Sequence, residues 1–170
     1  MPHLNTGGNL HGDNLAGEHK LGDAGQAAIA CLFFALWITD SFFEYSTFLN
    51  QYIPTSIRIP LGMVLLILSA YLAVTGLYIV FGKKRTEPTV IREGAFRIIR
   101  HPIYLSEILL YLGLLMLSIS LAALVIWIIS IVFLHYISRH EEKLLIAHFG
   151  DGYRQYMREV PMWIPLLRRK

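Results

Sequence analysis

The sequence predicts an all-α integral membrane protein with about four transmembrane helices, of which the last two form a tight hairpin followed by cytosolic C-terminal helices. Hydrophobic residues occupy 55% of the 170 positions and charged residues only 16%, whereas a soluble domain has about a quarter of its residues charged. The apolar residues form long blocks, as bilayer-crossing helices require. Of the 15 Lys and Arg residues, 13 lie at or after Lys83, an asymmetry that indicates membrane topology.

Residues 1–24 are polar and rich in glycine, so we predict a flexible N-terminal tail. The tail has no cationic segment ahead of an apolar one, which argues against a cleaved signal peptide. The single Cys31 cannot form an intrachain disulfide. The cationic residues do not form the basic face of a soluble domain, and we therefore expect no nucleic-acid partner.

Residues 25–82 contain the first two predicted spans, of which the first covers residues 25–49. This span carries Asp40 and Glu44, which are four residues apart and would therefore share one helical face. Acids inside a membrane span are costly and often functional. Their place near the far end of the span is equally typical of the membrane interface, and both interpretations stay open.

The second predicted span, residues 61–81, follows Pro60, which suits the first turn of a helix. The span carries small side chains that allow another helix to approach closely: Gly62, Ser69, Ala70, Ala73 and Gly76. The cationic run Lys83-Lys84-Arg85 then ends the span. The positive-inside rule places this end on the cytoplasmic side.

Residues 103–137 form an almost uncharged run that is too long for one span and short for two. At about 1.5 Å per residue, half of the run covers roughly 26 Å, against a hydrocarbon core of about 30 Å. We therefore predict a tight helical hairpin that turns at Ser118-Ile119-Ser120. Four spans place both termini in the cytoplasm. The fourth helix is expected to continue past the membrane as far as Gly150 or Gly152.

After these glycines, apolar side chains recur at the i, i+3, i+4, i+7 spacing of an amphipathic helix: Tyr153, Tyr156, Met157 and Val160. Arg154 and Arg158 fall on the opposite, polar side of this helix. Pro161, Trp163 and Pro165 then predict an irregular segment at the membrane interface.

Two polar stripes cross the predicted hairpin at its cytoplasmic end. Their members are Tyr104, Glu107 and Tyr111 on the third helix and His135, Arg139 and Glu142 on the fourth. Because buried charges need partners, we expect Glu107 to pair with Arg139. By the same reasoning we expect Arg100 to pair with Glu142. The pattern alone fits two interpretations, salt bridges that lock the hairpin or a functional site.

The third helix is preceded by Arg100-His101-Pro102. His101 cannot lie inside a helix because the residue before a proline avoids the α region, whereas Pro102 suits a first turn. Free N–H groups at such a helix start favour an anion, so a ligand carboxylate or phosphate would fit beside Arg100. Anchoring at the membrane interface is the alternative. The histidines between His101 and His148 match no metal-ligand spacing, and we expect no metal.

Several segments follow one another in a fixed order between residues 93 and 165. They are Arg100-His101-Pro102-Ile103-Tyr104, an apolar hairpin, Glu141-Glu142, Phe149-Gly150-Asp151-Gly152-Tyr153-Arg154-Gln155-Tyr156, Val160-Pro161 and Pro165. Together they resemble the isoprenylcysteine carboxyl methyltransferase and phospholipid methyltransferase superfamily, whose pattern reads approximately RHPxYxG, a hairpin, EE, FGxxYxxY and a closing VP. Ser106 stands where that pattern usually has glycine, a difference that bears on helix packing or cofactor fit.

The resemblance implies a membrane enzyme that uses S-adenosyl-L-methionine to transfer a methyl group, with residues 83–170 as its catalytic region. It implies a cofactor pocket at the cytosolic end, lined by His101, Tyr104, Glu141, Glu142, Val160 and Pro161. As catalytic residues we expect Arg100, Glu107 and Arg139. A carboxylate acceptor needs no general base, whereas a thiol or amine needs one, and His101 or Glu107 can serve.

The expected methyl acceptor is lipophilic and enters from the bilayer, with the carboxylate of an isoprenylcysteine-like molecule as the first choice. A phospholipid amine and a small thiol are alternatives within the superfamily. A membrane reductase that uses NADPH and a non-enzymatic membrane protein, in which the polar stripes only pack the hairpin, are alternatives of other classes. Membrane lipids are the expected surroundings, and the expected location is a prokaryotic plasma membrane.

Overall fold

The computed structural model describes residues 20–82 and 89–164. Helices make up 82% of these residues, and there are no strands among them. The α-helices are α1 (Lys20–Phe43), α2 (Thr55–Leu77), α3 (Pro102–Ser118), α4 (Leu121–Phe149) and α5 (Asp151–Glu159). A π-helical turn, Tyr78–Gly82, extends α2, and 3-10 turns lie at Phe48–Gln51 and Gly94–Arg97. The predicted all-α class is confirmed.

Three helices are long and apolar enough to cross a membrane: α1, α2 with its π-helical turn, and α4. The fourth apolar helix, α3, has 17 residues and so measures about 26 Å at 1.5 Å per residue. The outward faces of the long helices expose large apolar side chains, such as Ile67 and Val74 on α2 and Val132 on α4. Such faces are stable against lipid and unfavourable against water.

The first helix differs from the prediction at both ends. It begins at Lys20, inside the predicted tail, whose residues 1–19 lie outside the described part of the chain. It ends at Phe43 because Glu44 has a left-handed φ of 54° while its N–H donates to Asp40 O at 2.8 Å. Asp40 and Glu44 therefore do not share a helical face, and that prediction is wrong.

The second helix begins at Thr55, before the predicted span that starts at residue 61. The N–H groups of Ile57 and Arg58 donate to Pro54 O at 3.0 and 3.2 Å, which closes the first turn there. Pro60 consequently lies inside α2 and not at its start. The cationic run predicted to end this span, Lys83-Lys84-Arg85, lies outside the described residues.

Small residues bring α2 into close contact with α3, as the sequence predicts. Gly62, Ser69 and Gly76 are seven residues apart and buried, and a Cβ on Gly62 would lie 3.0 Å from the carbonyl oxygen of Gly113. Ser69 Oγ donates to Ser106 O at 2.6 Å. Ser106, the residue that differs from the superfamily pattern, is thus buried in the contact between α2 and α3.

The break between α3 and α4 falls at Ile119 and Ser120. Ile119 has a left-handed φ of 40°, and the Ser120 side chain accepts a hydrogen bond from Ala123 N at 3.0 Å, which caps α4. As predicted, α4 continues through Arg139 and ends before Gly150, whose φ is 57°. The amphipathic helix α5 follows, and its predicted apolar side is buried in a cluster of Tyr153, Tyr156 and Val160 with Met157 packed against it.

Candidate functional site

An ion pair between Arg100 and Glu142 lies where the start of α3 meets α4. Arg100 Nε donates to Glu142 Oε1 at 2.7 Å, and the Glu142 side chain is only 2% exposed. The Nη1 group of Arg100 donates to the carbonyl oxygens of Met157 at 2.9 Å and Val160 at 2.7 Å. The predicted Arg100–Glu142 pair is confirmed. These hydrogen bonds offset part of the cost of burying both charges.

The segment after α5 is bound to the start of α3 through the main chain. Arg100 N donates to Pro161 O at 3.0 Å, and His101 N donates to Met162 O at 3.2 Å. His101 is the N-cap of α3, and Pro102 is in the first turn as predicted. The main-chain N–H groups of Arg100 and His101, which precede the first turn of α3, are thus used by this closing segment.

The other predicted pocket residues lie beside the ion pair. The buried His101 ring has Nε2 at 3.4 Å from Glu142 Oε1 and Nδ1 at 3.7 Å from Glu141 Oε2. Tyr104 OH donates to Glu141 Oε1. The rings of His101 and Tyr104 are nearly parallel, at 7°, with centroids 5.6 Å apart. The His101 imidazole therefore lies between the carboxylates of Glu141 and Glu142. Tyr104 donates a hydrogen bond to the first of these carboxylates, and Arg100 donates one to the second.

Three buried polar atoms in this region have no hydrogen-bond partner within the described residues: Glu142 Oε2, Ser138 Oγ and Trp163 Nε1. Ser138 lies one turn before Glu142 on α4. The Trp163 ring packs edge-on against His135, with centroids 5.8 Å apart. His135, Ser138 and Glu142 are spaced i, i+3, i+7 and so share one face of α4. Ser138 and Glu142 thus lie on one face of α4, and Trp163 packs against a third residue of that face.

Ser138 and Trp163 were not among the predicted site residues. The signal for Ser138 was present, because it lies on the same face of α4 as His135 and Glu142, but a serine on an apolar helix is weak evidence of function. Trp163 follows a proline in an irregular segment, and no periodicity there predicts which way its ring packs.

The predicted pair between Glu107 and Arg139 is wrong. Glu107 Oε1 accepts a hydrogen bond from Tyr111, one turn along the same helix, at 2.6 Å, and Oε2 accepts one from Gln26 of α1. Arg139 is 59% exposed and forms an ion pair with Glu142, with Nη1 3.7 Å from Oε2. Helix α1 packs over Glu107 and supplies Gln26 as a neutral donor. Both oxygens of the Glu107 carboxylate are therefore hydrogen-bonded without Arg139.

Helix α5 is attached to the loop before α3. Tyr156 OH donates to Phe96 O at 2.6 Å, and Arg92 lies over the Tyr156 ring at 5.4 Å. Arg92 also donates to Glu159 and to Gly152 O, both at 2.9 Å. Burial raises the pKa of the Tyr156 phenol, so its hydroxyl remains a proton donor at any physiological pH. These contacts set the position of the carbonyls that bind Arg100.

Comparison with known proteins identifies the class to which this fold and this cluster belong. The profile of the phospholipid methyltransferase family matches residues 57–152, more than half of the chain, and the chain belongs to that family. The resemblance read from the sequence is confirmed. With three apolar helices of spanning length, the chain is an integral membrane protein.

Two relatives with named activities are similar to part of this chain. The chain is 34% identical over 95 residues to a protein-S-isoprenylcysteine O-methyltransferase from Schizosaccharomyces pombe, across 53% of this chain and 39% of the relative. It is 29% identical over 118 residues to a methanethiol S-methyltransferase from Crocosphaera subtropica, across 65% of this chain and 46% of the relative. The aligned parts thus span less than half of each relative.

Proposed function

We propose that this protein transfers a methyl group from S-adenosyl-L-methionine to a lipophilic acceptor in the membrane. The observation that carries the proposal is the buried carboxylate of Glu142, which accepts a hydrogen bond from Arg100 at Oε1 and none at Oε2, where Arg139 Nη1 lies 3.7 Å away. A buried polar atom without a partner is costly. An ion pair that served only to lock the helices would gain from using both oxygens.

The unpartnered atoms fit the polar groups of that cofactor. Its ribose hydroxyls and its ammonium group are donors, which Glu142 Oε2 and Ser138 Oγ can accept. Its carboxylate is an acceptor, which Trp163 Nε1 can bind as a donor. The aromatic ring of Tyr104, stacked on His101, offers an apolar face for the adenine. When bound, the cofactor supplies an electrophilic methyl group on a sulfonium.

The residues of this chain act mainly by positioning, since a displacement in line depends on the alignment of donor and acceptor. Arg100 fixes the Glu142 carboxylate and the carbonyls after α5 in one rigid unit. A carboxylate acceptor reacts without losing a proton there. A thiol or amine acceptor needs a base, and His101 is the group we assign to this role, because both oxygens of Glu107 already accept hydrogen bonds.

For the acceptor we favour the carboxylate of an isoprenylcysteine-like lipid, on the precedent of the Schizosaccharomyces pombe relative's name. The apolar outer faces of the helices give such a molecule a path from the bilayer. A small thiol is the second candidate, since the Crocosphaera subtropica relative aligns over a larger share of this chain. We further propose a prokaryotic plasma membrane with the ion-pair cluster and both termini at the cytoplasmic side.

The first test is calorimetric titration of S-adenosyl-L-methionine into detergent-purified wild-type protein and the variant His101→Ala. Arg154→Gln is the matched control, because this exposed cation lies on the polar side of α5. We expect saturable binding that is at least tenfold weaker in His101→Ala and unchanged in the control. A folded wild-type protein that binds NADPH instead would indicate a reductase. If the folded wild-type protein binds neither S-adenosyl-L-methionine nor NADPH, the ion-pair cluster has only a structural role.

The second test identifies the acceptor with methyl-labelled cofactor. N-acetyl-S-farnesylcysteine, methanethiol and phosphatidylethanolamine are offered separately, and label is counted in the product. We expect base-labile label on the farnesylcysteine, as a methyl ester requires. If labelled product forms only with methanethiol, as a volatile thioether, the thiol replaces the isoprenylcysteine-like carboxylate as the proposed acceptor.

A further inference from the structure

One face of α4 runs from the apolar part of the helix to the ion pair between Arg100 and Glu142. Its residues recur every three or four positions and so share that face: Ile128, Ile131, His135, Ser138 and Glu142. We call these five residues the α4 face. Ser138 and Glu142 are buried, Ile131 is half-buried, and Ile128 and His135 are exposed. The α4 face therefore changes along its length, from apolar and open to polar and enclosed.

His135 lies at the point where this change occurs. It follows Leu121, the first residue of α4, by 14 residues or about 21 Å, which is less than a hydrocarbon core of about 30 Å. The side chain is exposed, and within residues 20–82 and 89–164 its ring forms no hydrogen bond. An ionisable side chain within a membrane span is costly and typical of a functional position. A ligand that forms a hydrogen bond with the imidazole would offset that cost.

Trp163 connects His135 to the proposed cofactor pocket. Its ring packs edge-on against the imidazole, with centroids 5.8 Å apart. Its buried Nε1 has no hydrogen-bond partner among the described residues and is, in the proposed function, a donor to the cofactor carboxylate. Ile164, the next residue, is 73% exposed. A molecule that binds at His135 would therefore contact the same tryptophan as the cofactor and still reach the lipid.

The polar stripe on α3 is less open to lipid, because helix α1 covers it. Gln26 of α1 donates a hydrogen bond to Glu107, and the ring of Phe33 stacks on the buried ring of Tyr111 with centroids 4.3 Å apart. Small residues of α2 pack against a further face of α3. An apolar molecule that comes from the bilayer meets α1 and α2 on this side, whereas the α4 face is exposed to it.

We propose that the α4 face binds the methyl acceptor, an amphipathic molecule with a carboxylate head and an isoprenoid-like chain. The imidazole N–H of His135 donates a hydrogen bond to the carboxylate, and the chain lies along Ile131 and Ile128. The nearest charged residue on the helix, Arg139 one turn further on, is a cation and favours an anionic head, although its exposure keeps this contribution small. The inference rests on the proposed methyl transfer and names the surface that binds its acceptor.

Two matched variants separate the imidazole N–H from the shape of the ring. His135→Phe removes both ring nitrogens and keeps an aromatic ring beside Trp163, whereas His135→Gln keeps a neutral donor. His148→Phe is the control, because this histidine is also exposed on α4 and also packs edge-on against an aromatic ring, that of Phe149, with centroids 4.6 Å apart. It does not belong to the α4 face.

The first experiment locates the bound acceptor by photolabelling in a neutral detergent. The probe is N-acetyl-S-farnesylcysteine with a diazirine at the end of its chain, added with S-adenosylhomocysteine so that labelling needs no turnover. Mass spectrometry of the labelled peptides should place the label on α4 near Ile128. Labelling should fall at least tenfold in His135→Phe, as loss of a hydrogen bond to a charged group predicts, and stay unchanged in His148→Phe. Label on α1 or α2, or equal labelling of His135→Phe and wild type, would overturn the proposal.

A competition experiment tests the carboxylate head. N-acetyl-S-farnesylcysteinamide has the same chain and no negative charge, so it should compete with the probe more weakly than the acid does in wild-type protein. In His135→Phe the acid and the amide should compete equally. An unchanged preference for the acid in this variant would show that His135 does not bind the carboxylate, and the proposal would be wrong.

The kinetic experiment measures methyl transfer to N-acetyl-S-farnesylcysteine. We expect the KM for this acceptor to rise at least tenfold in His135→Phe and to recover most of the way in His135→Gln, with cofactor affinity within about twofold of wild type in both. A normal KM in folded His135→Phe, or an equal loss of cofactor affinity, would contradict the assignment. If the wild-type protein methylates no acceptor, the proposed function is wrong, and the labelling pattern alone decides whether the α4 face binds this molecule.

Discussion

Asp40 and Glu142 are both buried carboxylates, but their surroundings differ in one respect. Asp40 is fully buried, and both of its oxygens accept hydrogen bonds from Ser46, one from the main-chain N–H at 2.7 Å and one from the hydroxyl. Ser46 O in turn accepts from Leu121 N at 3.2 Å. Asp40 thus fastens the end of α1 to the start of α4. Glu142 accepts a hydrogen bond from Arg100 at one oxygen and no hydrogen bond at the other, which has only Arg139 Nη1 at 3.7 Å.

The comparison separates a structural acid from a candidate binding acid. A carboxylate whose hydrogen-bonding capacity is filled by its own chain contributes to stability and has nothing left for a ligand. A carboxylate left partly unpartnered costs stability, on the order of 1–3 kcal/mol for the orphaned atom. Retaining that cost at Glu142 is the pattern expected of a functional site.

The largest expected effect is that of Glu142→Gln. The change removes the charge that faces Arg100, and breaking a buried pair costs about 3–5 kcal/mol, so the unfolding temperature in detergent should fall. The affinity for S-adenosyl-L-methionine should fall at least a hundredfold in calorimetry. Wild-type affinity in a folded Glu142→Gln protein would contradict the assignment of this carboxylate to the cofactor.

Asp40→Ala should show the opposite pattern. Loss of two hydrogen bonds to a charged acceptor is expected to lower the free energy of unfolding by about 2–3 kcal/mol. Cofactor affinity should stay within twofold of wild type, because this acid lies at the other end of the bundle. Thermal unfolding and titration on the same sample give both numbers. If Asp40→Ala instead lowered cofactor affinity strongly at unchanged stability, Asp40 would not be a structural acid, and its proposed difference from Glu142 would be wrong.

Ser138→Ala tests the unpartnered hydroxyl beside Glu142. Because no hydrogen bond within the described residues is lost, stability should be unchanged or slightly higher. Cofactor affinity should fall about five- to tenfold, equivalent to one hydrogen bond of roughly 1 kcal/mol. Ser130→Ala is a suitable control on the same helix, since that hydroxyl bonds to Trp127 O. Equal affinities in wild type and Ser138→Ala would remove Ser138 from the pocket.

Arg139→Gln should have the smallest effect. The side chain is mostly exposed and 3.7 Å from Glu142, and exposed ion pairs contribute about 0–1 kcal/mol. Methyl transfer should stay within about twofold of wild type in a labelled-cofactor assay. A tenfold or larger loss of turnover at normal cofactor affinity would instead support the catalytic role that the sequence predicted for this arginine.

The sequence predicted those parts that follow from periodicity and from short segments. The Arg100–Glu142 pair could be predicted because buried charges at one end of a helical hairpin need partners, and α5 because its apolar residues recur with helical spacing. The contacts of Glu107 and Asp40 could not be predicted. Gln26 reaches Glu107 from a helix 81 residues away in sequence, and Asp40 meets Ser46 only because Glu44 adopts a left-handed φ.

The carbonyl groups that bind Arg100 belong to residues that follow α4 in the chain. The guanidinium is therefore fully coordinated only when the start of α3, helix α4 and the segment that follows α4 have packed together. One side chain thus makes the order of the C-terminal segment depend on the packing of the two helices before it.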